Sequence, residues 1–284
     1  MKEVIQAIAL SDLYAFPERP FKVVENEELQ ELTESITAYG VISPLVVRPR
    51  EAGGYEIISG HRRKAACEKA GIEKIPAFVR EMDRDTAIIA LVDSNLHREH
   101  ILPSEKANAY KMKLEAIKRQ GKRNDLTSRQ LVGKSESADI VGAQTEESGR
   151  QVQRYIRLTK LIPPILEMVD NGLIAFSPAV ELSYLSEKEQ TDLLETMESE
   201  EATPSLSQAQ RMKKLSADEK LDMDTVFEIM TEEKANQKEQ IKLKKESIKR
   251  FFPKGYTVQQ MEKVILRLLE SWQRKREHNR NDAR

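Results

Sequence analysis

Three polar stretches of this chain carry residue types that can do chemistry. In YEIISGHRRKAACEKAG (Tyr55 to Gly71), an apolar run reaches Gly60, and His61, Arg62 and Arg63 lead into a helical pattern. A helix start presents free backbone N–H groups and the positive end of the helix dipole. Arginines placed there add charge-assisted donors, so the combination suits a phosphate or another anion. Gly60 would let backbone come close to such a group. A solvated helix start with incidental arginines has the same sequence, and these residues alone leave both readings open.

The second stretch, VDSNLHREHILPSEKA, runs from Val92 to Ala107 and gathers Asp93, Ser94, Asn95, His97, Arg98 and Glu99. Asp93 and Asn95 offer oxygens to a magnesium ion, which keeps several of its waters. Arg98 offers donors to a phosphate. The alternative is a capped connection between two helices, with Ser104 and Glu105 opening the second. His97 and His100 lack the cysteine or third histidine of a zinc site and read as surface residues.

The third stretch, Ser137 to Leu161, has the pattern helix, short turn, helix. Ile140 and Val141 anchor the first helix, TEE makes the turn, and Ser148 caps the second. Val152, Tyr155 or Ile156, and Thr159 fall on its core face. Arg150, Gln153, Arg154 and Arg157 fall on the other, with Gln151 beside them. From Ser148 to Lys160 there are four basic residues and no acid. Arginine and glutamine read guanine and adenine edges in the major groove, so the pattern suits a DNA-binding helix-turn-helix with its reading helix second. A helical hairpin with a solvated basic face is the alternative. Glu146 stands in the turn where glycine is common.

These stretches need scaffolding, and the surrounding pattern supplies it. Residues 1–102 read as a mixed α/β domain. Leu29, Leu32 and Ile36 mark a helix stopped by Gly40. PLVVRP and GGYEIIS read as a β-hairpin, and KIPAFVRE as a further strand. DTAIIALVDSNLH starts a helix capped by Asp85 or Thr86. Residues 103–200 are helical, opening on Pro103 with a stop expected at Gly121. ESEEATPSLS, Glu198 to Ser207, reads as a linker into a charged helical region, 201–284. There a last helix places Met261, Ile265, Leu268 and Trp272 on one stripe, suited to a dimer interface or to packing within the chain. Lys242, Lys244, Lys245, Lys249 and Arg250 offer nonspecific phosphate contacts or a solvated face. The fold class expected is α+β.

Composition narrows the functions. Of the 284 residues, 33% are charged and the formal net charge is −1, so any nucleic-acid face must be local. No apolar run approaches the roughly 20 residues of a membrane helix. The N-terminal stretch lacks a signal-peptide layout. A single cysteine, Cys67, excludes an internal disulfide and suits a reducing cytoplasm. Cys67 lies inside the helix after the arginines, facing the core, where a thiol is inert.

Taken in order over roughly residues 10 to 200, LTESITAYGVISPLVVRP, ISGHRRKAA, DSNLHREHILPSEKA and the helix-turn-helix resemble the ParB/RepB partition-protein family. The resemblance implies a cytoplasmic, nucleoid- or plasmid-associated homodimer that binds double-stranded DNA at a centromere-like site. It implies CTP and magnesium bound in the N-terminal domain as a clamp-closing switch, and a ParA-type Walker ATPase as partner in DNA segregation. By the same resemblance, Gly60, His61, Arg62 and Arg63 hold the triphosphate. Ser94, Asn95 and Arg98 form the magnesium and phosphate box, with Asn95 toward the metal, and Arg19 lies near the cytidine. Two departures stand out: His61 replaces the acid after the glycine, and Ser94 the acid before the asparagine. Both put CTP hydrolysis in doubt more than binding. A site-specific regulator that does not spread, and an enzyme on the same N-terminal fold, are the competing functions.

Overall fold

The computed structural model describes residues 5–96, 98, 100–125, 138–139, 141–142, 147–232, 251–253 and 255–281. It divides into two compact units, 1–232 and 233–284.

The first unit is built on a five-stranded mixed sheet. Its strands are β1 (Ile5–Ala9), β2 (Leu13–Ala15), β3 (Leu45–Pro49), β4 (Tyr55–Ser59) and β5 (Lys74–Val79), in the order β1-β5-β3-β4-β2. The expected hairpin is present: β3 and β4 pair antiparallel, with Val47 opposite Ile57. β5 joins β3 in parallel, and the two outer strands close the edges. Neither edge strand is evident from the sequence pattern.

Alternation along the strands decides what each face of the sheet covers. Leu45, Val47 and Ile57 pack with Leu29 and Ile36 of α1 (Glu27–Tyr39) and Ala66 and Cys67 of α2 (His61–Lys69). Ile58 and Val46 face the other way, toward Ile88, Leu91 and Val92 of α3 (Arg84–Leu96) and Ala109 and Ala116 of α4 (Pro103–Asp125). Cys67 is buried as expected, and burial pushes its thiol pKa up. Asn26 caps α1 by accepting from Leu29 N, and the helix stops where Gly40 turns to φ 72°.

Two expectations about helix ends are corrected. Asp83 Oδ1 accepts from Thr86 N at 2.7 Å, so Asp83 rather than Asp85 or Thr86 caps α3. Asp85 is buried and takes a 2.7 Å bond from Arg119 Nε of α4. Gly121 does not end α4, which runs on to Asp125. No neighbour lies within 4 Å of a Cβ built there, so nothing in the surroundings forces a stop.

Beyond α4 the unit is all helix. Helices α5 (Gly149–Arg157), α6 (Pro163–Asp170), α7 (Phe176–Leu182), α8 (Glu187–Ser199), α9 (Leu206–Ala217) and α10 (Met223–Thr231) share one core with Ala107 of α4. The sequence pattern suggests a linker near residue 200. Instead Ala209, Met212, Val226 and Ile229 pack with Leu158, Ile165 and Leu193, so the compact unit continues to Glu232.

In the second unit, α11 (Val258–Asn281) carries the expected stripe. Met261 is buried, while Leu268 and Trp272 are exposed. The basic residues at 242–250 lie outside the described residues. Among the described residues no helix is long and apolar enough to cross a membrane.

Two glycines have opposite roles, which gives a paired prediction. A Cβ on Gly142 would lie 2.2 Å from Glu147 O, where backbone must give way. Gly142→Ala should lower stability by about 1–3 kcal/mol. Gly121→Ala, in the open interior of α4, should raise it by about 0.5–1 kcal/mol. Chemical denaturation of the two variants against the parent checks both signs.

Candidate nucleotide and DNA sites

The strand β4, the Gly60 turn and α2 build the first wall of a cleft. Gly60 caps α2 with φ 109°, a conformation that favours glycine. Its missing Cβ faces Leu45, whose Cγ would lie 2.6 Å away, so packing on β3 requires the glycine as much as ligand approach does. The turn delivers Arg62 and Arg63 one after the other, and they do different things. Arg63 Nη1 donates to Pro44 O at 2.7 Å and also to Ser43 O, fixing the loop before β3. Arg62 Nη1 reaches out to Glu28 Oε2 of α1 at 2.8 Å, an exposed pair.

The C-terminal end of α3 builds the opposite wall. Gly60, Arg62, Arg63, Ser94, Asn95 and Arg98 all line one open cleft of about 480 Å³, together with Glu28, Leu32 and Ser59. The residues picked out in two separate sequence stretches therefore meet. Arg19 and His61 line a narrow crevice that shares Asn95 and Arg98 with the cleft. Glu28 is the site residue that sequence reasoning misses. Its signal is its place one turn before Leu32 on the face of α1 that turns toward the cleft.

Asp93 does not join them. Its carboxylate pairs with Lys113 of α4, whose side chain is fully buried, and it does not line the cleft. Asn95 is buried, and its Nδ2 donates to Leu91 O at 2.7 Å, which leaves Oδ1 as its only atom able to ligate a metal. Among the described residues, no group of three His, Cys, Asp or Glu could hold an ion. His97 and Glu99 lie outside the described residues, and His100 is exposed.

Electrostatically the cleft wants an anion. Burial lowers the pKa of Arg98, and neighbouring Arg62 and Arg19 lower it further while Glu105 offsets them. Burial also lowers Arg19 and Arg63. His61 is 9% exposed, and its Nε2 has no hydrogen-bond partner among the described residues. Burial, then Arg19, Arg98 and Lys64, pull its pKa to about 4, so the imidazole is neutral at pH 7. An orphaned buried nitrogen beside partly desolvated guanidinium groups suits a polyphosphate, which would supply the missing charge.

The second site is the helix-turn-helix. Ser148 caps α5, accepting from Gln151 N at 3.2 Å, as its sequence position implies. Val152 is buried against Tyr110 and Leu114 of α4 and against Val141. Ile140, Thr145 and Glu146 lie outside the described residues. Glu147, just before the Ser148 cap, accepts from Tyr110 Oη at 3.0 Å and from Lys106 Nζ. Close approach here depends on glycines flanking the turn: Gly142 against Glu147, and Gly149 against Asp139.

The six polar residues assigned to this helix separate into two groups. Ser148, Arg150 and Gln153 are exposed. Arg154 is held on the protein, donating to Gln151 Oε1 and Ser177 Oγ at 3.0 Å each, with its guanidinium 4.9 Å from the Phe176 ring. Arg157 is held likewise, with Nη2 donating to Ser183 O at 2.6 Å.

His61 gives a pH prediction. Its folded pKa is about 4 against an ordinary 6.5, so between these values the unfolded chain binds more protons. Its contribution to stability is complete above about pH 6.5 and is lost as pH falls toward 4, to a limit of about 3 kcal/mol. His61→Gln should flatten that part of the stability profile relative to the parent, measured by denaturation at pH 7.5 and 4.5.

Comparison with known proteins bears on both sites. Residues 1–96 match the model of the ParB N-terminal domain. Stage 0 sporulation protein J of Bacillus subtilis (strain 168) is 31% identical over 193 residues, 68% of this chain and 62% of that protein. A nucleoid occlusion protein of Listeria innocua is 36% identical over 185 residues, 63% of this chain and 58% of that one. The probable chromosome 1-partitioning protein ParB of Deinococcus radiodurans is 35% identical over 176 residues, 62% and 54% of the two chains. The chain thus matches a little over half the length of these relatives. A crystal structure of C-terminally truncated ParB from Caulobacter crescentus, complexed to the centromeric parS site, is similar at 20% identity and a TM-score of 0.45, covering 74% of this chain and 98% of that one. With the paired sequence boxes brought together in one cleft, residues 1–96 form a ParB N-terminal domain.

Proposed function

We propose that this protein is a site-specific DNA-binding partition protein that uses CTP with magnesium as a switch. One observation carries the reading: α3, whose end forms one wall of the arginine-lined cleft, and the Ser148-capped helix α5 pack on the same helix, α4. The named relatives, a ParB partitioning protein and a sporulation protein among them, support it. In this reading Arg62 and Arg98 hold the nucleotide's phosphates, Arg63 positions the loop beneath them, and Arg19 and His61 border the neighbouring crevice. Asn95 Oδ1 would help to hold magnesium, which would screen the charge of the phosphates. CTP hydrolysis is slow or absent, because no carboxylate occupies positions 61 or 94. Arg150 and Gln153 read base edges, and Arg154 and Arg157 hold the reading helix in place while facing DNA from its rim. The protein acts as a homodimer in association with the nucleoid or a plasmid, with a ParA-type ATPase as its partner.

The runner-up is a regulator that binds its site without spreading; the relative named a nucleoid occlusion protein keeps a function other than partition in view. Sequencing the DNA recovered with the protein, with and without CTP, separates the two. A broad signal flanking a peak, present only with CTP, is expected; a narrow peak under both conditions would favour the regulator.

Two variants test the sites themselves. Arg62→Ala should abolish CTP binding in calorimetry while leaving affinity for the DNA site unchanged. Arg150→Ala should weaken specific binding by about 1–3 kcal/mol at constant stability. Arg154→Ala should lower both affinity and melting temperature, because its side chain also ties α5 to Ser177.

A further inference from the structure

At the end of α5 the chain brings Arg157, the last residue of that helix, and Lys213 of α9 onto one aromatic ring. The Tyr184 ring is 47% exposed. The Arg157 guanidinium lies 3.9 Å from its centroid, and the Lys213 ammonium of α9 lies 3.7 Å from it. Arg157 is further fixed by Nε and Nη2, which donate to Ser183 Oγ and O at 3.2 and 2.6 Å, and Nη1 is outside those bonds. Lys213 Nζ also meets Glu181 Oε2 at 2.7 Å, which offsets part of the local charge.

Cation–π contacts at so exposed a ring add little to stability. Their effect is to hold two long, rotamer-rich side chains in place before any partner arrives, so that less freedom is lost on binding. The position indicates the partner. Arg157 lies about one turn beyond Gln153 and two beyond Arg150 on the same helix, which places it near the face they occupy. The far end of a reading helix meets the DNA backbone rather than base edges. We propose that Tyr184, with Arg157 and Lys213 over its ring, is a preorganised DNA-phosphate clamp flanking the reading helix. It supplies sequence-independent affinity, while Arg150 and Gln153 supply choice of site. This rests on the DNA-binding reading above.

The test uses the full chain, a duplex carrying the recovered site and a scrambled duplex of equal length, titrated over a range of salt concentrations. Lys213→Gln should reduce the slope of log K against log salt by about 0.9 on both duplexes, with the melting temperature of the free protein unchanged. Tyr184→Leu, which releases both cations, should weaken binding to both duplexes in the same direction. An unchanged salt slope in Lys213→Gln would overturn the clamp, as would a loss confined to the specific duplex. If the unsubstituted chain bound neither duplex, the DNA-binding reading itself would fail and the clamp with it. Should Tyr184→Leu not fold, Lys213→Gln decides alone, because Lys213 belongs to none of the apolar cores and glutamine keeps most of its stem.

Discussion

The structure of the first unit depends on one helix being covered on three sides. Ala109 and Ala116 of α4 pack against α3 and the sheet, Tyr110 and Leu114 against the helix-turn-helix, and Ala107 against the helical core beyond it. Close-packed interiors transmit displacement, so α4 cannot turn on its axis without disturbing all three cores. Polar contacts fix it along its length as well. Asp170 of α6 accepts from Ser104 N and Oγ at 2.9 and 2.5 Å, which caps the helix from the next module. Glu105 accepts from Lys22 N at 2.8 Å, which secures the segment bearing Arg19. The fully buried Lys113 ammonium meets Asp93 on α3, two residues before Asn95. The pair joins a fully buried ammonium to a partly exposed carboxylate, so α3 is held to α4 close to the cleft.

The cleft is the counterpart of that rigidity. Its walls come from the α2 turn and the end of α3, and they bring guanidinium groups together in partial burial, where like charges repel more strongly than in water. Arg63 is satisfied by backbone carbonyls and Arg62 by Glu28. Arg98 rests 5.7 Å from the Phe21 ring and stays crowded by Arg19 and Arg62. His61 avoids adding to the excess by staying neutral. An acid at position 61 would have cancelled part of this positive field. With imidazole there, the field remains for a ligand to satisfy.

Much of this was legible in the sequence because it rests on local rules. Leu29 and Ile36 repeat at helical spacing, Leu45 and Val47 alternate, and Ser148 precedes a basic amphipathic run, so α1, the hairpin and α5 could all be named. What escaped depends on distant partners. β1 and β2 are short, and β1 gains its place only by pairing with β5, more than sixty residues on. Gly121 resembles a stop, yet the packed face of α4 carries the helix through it. Asp93 looks like a metal ligand until Lys113, twenty residues later, is found beside it. The distinction between Arg150, exposed, and Arg154, bonded to Ser177, is likewise invisible without the helix that brings Ser177 near.

Glu28 shows why a list of site residues differs from a site. It is the carboxylate lining the cleft, and it comes from α1, outside both sequence boxes. Its pair with Arg62 is exposed on both sides, 31% and 58%, a setting in which ion pairs contribute about 0–1 kcal/mol. A polyphosphate brings several charged oxygens to the same guanidinium and can accept from it bidentately, so it displaces a single carboxylate at small cost. Until then the pair neutralises an arginine that would otherwise add to the crowding around Arg98. The pair thus holds Arg62 at the cleft without locking it, because so exposed an ion pair breaks at small cost.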